Sequence, residues 1–186
     1  RRVSEATNHN AVLVTDVGQN QMVGVRYFQY TQTRSVVTSG GLGTMGFGLP
    51  AAIGAKLGAP DRTVCLFVGD GGLQMTIQEL GTIMQERLDV KIILLNNHFL
   101  GMVRQWQELF FNERYSATEM ENPDFVAIAR AFRIASREVS RREELDEAVE
   151  EMMATDGPYL LVADVEKCGI IYPMVPAGAS ISNILM

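Results

Sequence analysis

Six short apolar runs separated by helical stretches constrain this chain more than any other feature. The runs are residues 11–14, 35–38, 63–68, 90–95, 132–135 and 159–163. They read as apolar on both faces, the pattern of parallel strands covered by helices above and below. Between them, residues 143–154 place Leu145, Ala148, Val149, Met152 and Met153 on one helical stripe. Residues 124–132 do the same with Phe125, Ile128, Ala129 and Phe132, with Asn122 as the expected cap and Pro123 in the first turn. Gly157-Pro158 stops the last helix and releases the sixth strand. The alternation predicts one doubly wound α/β domain with a six-stranded parallel sheet flanked by helices. Ligands of such sheets sit beyond the carboxyl ends of the strands.

At 186 residues the chain is long enough for one sizeable core. A net charge of −6 leaves no basic footprint for nucleic acid. No apolar run reaches membrane-spanning length, so neither nucleic acid nor membrane is an expected partner. Cys65 and Cys168 match no metal or redox spacing and read as a buried strand thiol and a loop thiol in a reducing compartment. Arg1 to Ala6 lacks the apolar segment of a signal peptide and reads as the end of a helix, so the chain is expected to be part of a longer protein.

The third run, Leu66-Phe67-Val68, stops at Gly69-Asp70-Gly71-Gly72, a carboxylate among glycines where a ligand belongs. Glycines let backbone approach a ligand and offer N–H groups to an anion. A carboxylate beside a phosphate needs a divalent cation between them, and hard cations take carboxylate, amide and carbonyl oxygens together with phosphate. The fourth run ends at Asn96-Asn97, and 97 − 70 = 27 residues is about one crossover unit. Two oxygen ligands on neighbouring strand ends can therefore converge on one ion, with helix N-termini facing the phosphates. Gly-Asp-Gly alone is an ordinary turn, and Asn-Asn alone is weak. Only their joint placement points to chemistry, and a non-catalytic nucleotide-binding module stays open on these residues.

Gly69-Asp70-Gly71 followed by Asn96-Asn97 resembles the thiamin diphosphate fingerprint. Three further segments narrow the likeness: Thr38 to Ala52, Gly101 to Glu108, and Tyr172-Pro173-Met174-Val175-Pro176. Together they resemble the C-terminal, diphosphate-binding domain of acetolactate (acetohydroxyacid) synthase large subunits across nearly the whole chain. The resemblance implies one domain over residues 1–186, with 170–186 a C-terminal tail that folds over the cofactor site. The N-terminal pyrimidine-binding domain and the central FAD-type domain of the parent would be absent. Other thiamin diphosphate-dependent decarboxylases and carboligases share the metal fingerprint and remain an alternative.

The resemblance further implies thiamin diphosphate and Mg²⁺ as cofactors, with FAD in the full-length parent. Asp70, Asn97 and the carbonyl of Phe99 would hold the metal. Gln19, Asn20, Gly69, Gly71 and Gly72 would meet the diphosphate; Asn20 stands where the family usually has His, and its amide N–H₂ can still donate. Gly43 would accept from the pyrimidine amino group, Met45 would support the bent cofactor, and Leu100, Gly101 and Met102 would complete its site. Met102, Val103 and Trp106 would shape the substrate pocket. By spacing alone, 106 − 102 = 4 puts Met102 and Trp106 on one helix face, equally suited to core packing with Leu109 and Phe110. The implied activity decarboxylates pyruvate and joins the two-carbon unit to a second pyruvate or 2-oxobutyrate, in branched-chain amino acid biosynthesis. The implied assembly is a homodimer or homotetramer with a small regulatory subunit, cytoplasmic in a bacterium and organellar in a eukaryote. No catalytic residue is expected within these residues, because the activating glutamate belongs to the missing N-terminal domain. The isolated domain is expected to be nearly inactive. His9, His98, Glu79 and the Arg141-Arg142-Glu143-Glu144 run read as loop, local or solvated residues.

Overall fold

A computed structural model describes all 186 residues. Its helices are α1 (Arg2–Ala6), α2 (Gln19–Tyr27), α3 (Gly48–Gly58), α4 (Asp70–Met75), α5 (Leu80–Glu86), α6 (Gly101–Phe110), α7 (Phe125–Ala131) and α8 (Leu145–Ala154). Its strands are β1 (Val12–Thr15), β2 (Val36–Thr38), β3 (Val64–Gly69), β4 (Val90–Asn96), β5 (Ala135–Val139) and β6 (Tyr159–Asp164). All pairings are parallel, in the order β2-β1-β3-β4-β6-β5. The expected six-stranded, doubly wound α/β domain is therefore observed.

The two-residue period of each central strand sends apolar side chains to both faces. Val64, Leu66 and Val68 of β3 meet Leu49, Ala52 and Ile53 of α3, Leu80 and Ile83 of α5, and Phe125 and Ala129 of α7. Cys65 of β3, Leu13 of β1 and Ile93 of β4 lie in the opposite layer with Val3 of α1 and Ala148, Val149 and Met152 of α8. Burying each large aliphatic side chain contributes about 1.5–3 kcal/mol. Gly24 lets α2 lie close on the sheet, since a Cβ there would stand 3.2 Å from Thr15 Cγ2.

Three elements differ from the sequence expectation. The fifth strand is not residues 132–135 but Ala135–Val139. Phe132 caps the end of α7, and Arg133 turns the chain in the left-handed region at φ +57°. β5 is an edge strand paired only with β6, so it carries Ser136, Arg137 and Glu138 instead of a doubly apolar run. Arg137 pairs with Glu147 and Glu151 of α8 at 3.1 and 2.9 Å. The cap of α7 is Asp124, whose Oδ1 accepts from Ala127 N at 2.8 Å, and not Asn122. The 143–154 helix also resolves into a 3₁₀ turn at Arg142–Glu144 followed by α8.

The chain leaves β1 for β2 on one side and leaves β3 for β4 on the other, so the connections of adjacent β1 and β3 run in opposite directions and open a crevice at their carboxyl ends. The ends of β1, β3 and β4 face it. Cys65 is buried and Cys168 exposed, both as free thiols. No helix is long and apolar enough to cross a membrane.

Candidate cofactor site

β3 ends at Gly69, and the next residue, Asp70, opens α4 with its side chain only 1% exposed. Its Oδ1 accepts from Gly71 N at 2.9 Å. Its Oδ2 accepts from His98 N at 2.8 Å and Asn122 Nδ2 at 2.6 Å. Gly69 is in register with Leu95 of β4, so Asp70 lies beside the Asn96-Asn97 end of the neighbouring strand. His98 enters the left-handed region at φ +59°, which turns its N–H toward Asp70. Asn97 is buried, and its Oδ1 accepts from Phe99 N at 3.2 Å. The Phe99 carbonyl accepts no hydrogen bond. Adjacent strand ends thus present a carboxylate, an amide oxygen and an unpartnered carbonyl, a hard, oxygen-only donor set.

These groups line a cavity of about 570 Å³. Gln19 and Asn20 from α2 form one side, and Gly43 and Met45 from the turn before α3 another. Gly69, Asp70, Gly71 and Gly72 form the floor. Asn97, Phe99 and Leu100 lead into Gly101, Met102 and Val103, the first turn of α6. Trp106 is not part of the wall; one turn further along α6, its ring packs on Phe110 at 5.1 Å. No lysine or arginine lines the cavity. Positive potential comes from backbone N–H groups, chiefly the unsatisfied first-turn amides of the ten-residue α6.

Two glycines allow this closeness. A Cβ on Gly101 would stand 2.4 Å from Gln19 Oε1 and 2.8 Å from Asn97 Nδ2. A Cβ on Gly71 would stand 2.6 Å from Leu100 Cδ2.

A family profile described as "Thiamine pyrophosphate enzyme, C-terminal TPP binding domain" matches residues 16–163. The chain belongs to this thiamine pyrophosphate-binding family. Among curated relatives, this thiamine pyrophosphate-binding domain is 46% identical over its full length to the acetolactate synthase isozyme 2 large subunit of Escherichia coli K12, covering 34% of that protein. It is 45% identical to the acetolactate synthase large subunit of Lactococcus lactis, over 95% of this chain and 31% of the relative. The mitochondrial acetolactate synthase catalytic subunit of Saccharomyces cerevisiae is 41% identical, over 99% of this chain and 27% of the relative. The chain therefore spans about one third of the length of these relatives.

Two expected polar contacts of the domain are committed elsewhere. Asn20 Nδ2 donates to the carbonyls of Asp16 and Phe67 at 3.0 and 3.1 Å. Its amide ties the residue after β1 to β3, and in this structure both of its side-chain N–H groups are spent on these carbonyls. Gln19 Nε2 likewise donates to Gly169 O at 2.7 Å and Gln105 Oε1 at 2.8 Å.

Several contributors escaped the sequence reading. Asp16 is fully buried and accepts from Val17 N, Gly46 N and Gly48 N at 2.7, 3.2 and 2.7 Å. It anchors the turn carrying Gly43 and Met45, and it caps α3 from a distance. Gln105 is 2% exposed and exchanges hydrogen bonds with the Ile171 backbone at 3.0 and 3.2 Å. Glu166, Gly169 and Ile171 close the remaining side of the cavity. Arg26 holds the carbonyls of Tyr172 and Pro173, so the tail lies along α2 and α6. Asn122 reaches Asp70 from outside the cavity wall. A carboxylate just after a strand and a glutamine in mid-helix were visible as residues, but no local pattern marked their partners.

Proposed function

We propose that this domain binds thiamin diphosphate through a Mg²⁺ ion and forms the cofactor half of an acetolactate synthase. The observation that carries the reading is an oxygen-only donor set in a cavity with no basic side chain. A diphosphate there needs a hard cation, and Mg²⁺ takes carboxylate, amide and carbonyl oxygens in an octahedral shell completed by phosphate and water. Asp70, Asn97 and the Phe99 carbonyl would hold it. The N–H groups of Gly72, Gly101 and Met102 would receive the diphosphate, with the α6 N-terminus adding its partial positive charge.

When bound, thiamin diphosphate supplies the electron sink for decarboxylating a 2-oxoacid. The chain's own residues bind and orient. Met45 and Leu100 crowd over Gly71 and give the site an apolar floor. The Gly43 carbonyl accepts no hydrogen bond and is free to receive one from the cofactor's amino group. The apolar walls from Met102, Val103 and Ile171 exclude water around the reacting end. Trp106 would act on substrate only if the neighbouring chain segments bring the pocket to it.

The relatives' names print acetolactate synthase, and on this reading the longer parent would take pyruvate, with a second pyruvate or 2-oxobutyrate, as substrates in branched-chain amino acid synthesis. The same reading gives the parent FAD, further domains and a dimeric or larger assembly, in the cytoplasm or in an organelle by host. The isolated domain would have little activity.

Titration calorimetry tests the cofactor reading. Thiamin diphosphate should bind the full-length polypeptide only with Mg²⁺, and Asp70→Ala should abolish binding. Mg²⁺-independent binding, or undiminished binding in the variant, would overturn it. Product analysis of the parent with pyruvate, alone and with 2-oxobutyrate, separates acetolactate synthase from other decarboxylases and carboligases.

A further inference from the structure

Asp70 has two carboxylate oxygens, but the fold leaves only one of them room for a metal. Both acceptor positions of Oδ2 are filled, by His98 N at 2.8 Å and Asn122 Nδ2 at 2.6 Å. Oδ1 has one position filled, by Gly71 N at 2.9 Å, and one open. The carboxylate can therefore offer a cation a single lone pair.

Asn122 is held so that it must donate. The same Nδ2 also donates to Asn96 Oδ1 at 2.7 Å, and its Oδ1 accepts from Gln74 Nε2 at 3.0 Å. Turning the amide over would set an oxygen against two acceptors and an N–H₂ against a donor. Asn96 is fixed in turn by its own Nδ2 donating to Asp164 Oδ1 at 2.9 Å. The orientation of Asp70 is thus relayed from α4, β4 and β6 through one amide on the segment before α7.

We propose that Asn122 is a positioning residue that sets metal selectivity by keeping Asp70 monodentate. Mg²⁺ demands near-ideal octahedral geometry at about 2.0–2.1 Å, which one oxygen per carboxylate serves. Ca²⁺ takes about six to eight oxygens at 2.3–2.6 Å and readily accepts a bidentate carboxylate. Blocking Oδ2 withholds the second oxygen from Ca²⁺ and costs Mg²⁺ nothing. The inference rests on the cofactor reading above, because it requires a cation at Asp70.

The test compares Mg²⁺ and Ca²⁺ dissociation constants by calorimetry on the full-length polypeptide with saturating thiamin diphosphate. Asn122→Leu removes the donor while filling the space, which matters because Asn122 also borders a second cavity of about 280 Å³ from which water could replace the lost N–H. In Asn122→Leu, Mg²⁺ affinity should fall about 10–100-fold, and the Ca²⁺/Mg²⁺ ratio should move toward Ca²⁺ by about tenfold. Gln74→Leu, which frees Asn122 from its other side and leaves the metal ligands intact, should shift the ratio the same way by a smaller factor. A purely structural role would weaken both ions alike, so an unchanged ratio in both variants overturns the proposal. If the unmodified protein binds neither ion with the cofactor present, the cofactor reading itself fails, and this inference with it.

Discussion

Replacing Gly101 by alanine should cripple the metal site without unfolding the protein. Gly101 opens α6 with ordinary helical backbone, so alanine is tolerated there and even favoured by helix propensity, by up to about 1 kcal/mol. The added Cβ would lie 2.4 Å from Gln19 Oε1 and 2.8 Å from Asn97 Nδ2, where ordinary contact begins near 3.4 Å. Gln19 must retreat by 3.4 − 2.4 = 1.0 Å and Asn97 by 3.4 − 2.8 = 0.6 Å. Gln19 cannot swing freely, because its amide is tied to Gly169 O and Gln105 Oε1. The strain therefore falls on Asn97. A shift of that size exceeds the tolerance of a Mg²⁺–oxygen bond near 2.0–2.1 Å. Mg²⁺ affinity in the presence of thiamin diphosphate should drop about 10–100-fold, equivalent to about 1.4–2.7 kcal/mol. Calorimetry with Mg²⁺ and a thermal melt of the apo-protein measure the two sides. An unchanged Mg²⁺ affinity, or a collapse of the melting temperature in place of an affinity loss, would refute the reasoning.

Three other outcomes follow from buried or paired groups. Asp16→Ala leaves three backbone N–H groups without an acceptor and should destabilise the fold by about 3 kcal/mol or more in urea titration, while loosening the turn that carries Met45. With a thiol reagent such as dithionitrobenzoate, exposed Cys168 should react at once; Cys65, buried and with its pKa pushed up to about 12 by loss of solvation, should react only after denaturation. The Tyr159 hydroxyl at 2.7 Å, then Arg137, hold the Glu151 carboxyl below its ordinary value. A depressed carboxylate stabilises the fold above its unfolded pKa, and that benefit fades as pH falls through the folded one. The melting-temperature advantage over Glu151→Gln should accordingly be present at pH 7 and vanish in the acid range below about pH 4.

The sheet and the ends of its central strands were legible in the sequence because their signals are local. A buried parallel strand must be apolar on both faces, so β1, β3, β4 and β6 announced themselves. Chain direction then places Asp70 and Asn97 at adjacent carboxyl ends. β5 failed that rule because an edge strand has a partner on only one side and tolerates Ser136, Arg137 and Glu138. Only the tertiary structure decided what the polar side chains touch. Asn122 has the local pattern of a helix cap, yet its amide goes to Asp70, 52 residues away, while Asp124 takes the cap. Asn20 has donors suited to a phosphate, yet both are spent on backbone carbonyls, one of them on β3. Asp16 looks like any strand-final carboxylate, yet it holds a turn some 30 residues on. Apolar burial is set by a periodicity that a single segment carries, whereas a hydrogen bond needs two groups at one distance and angle, and that coincidence is created by the path of the whole chain.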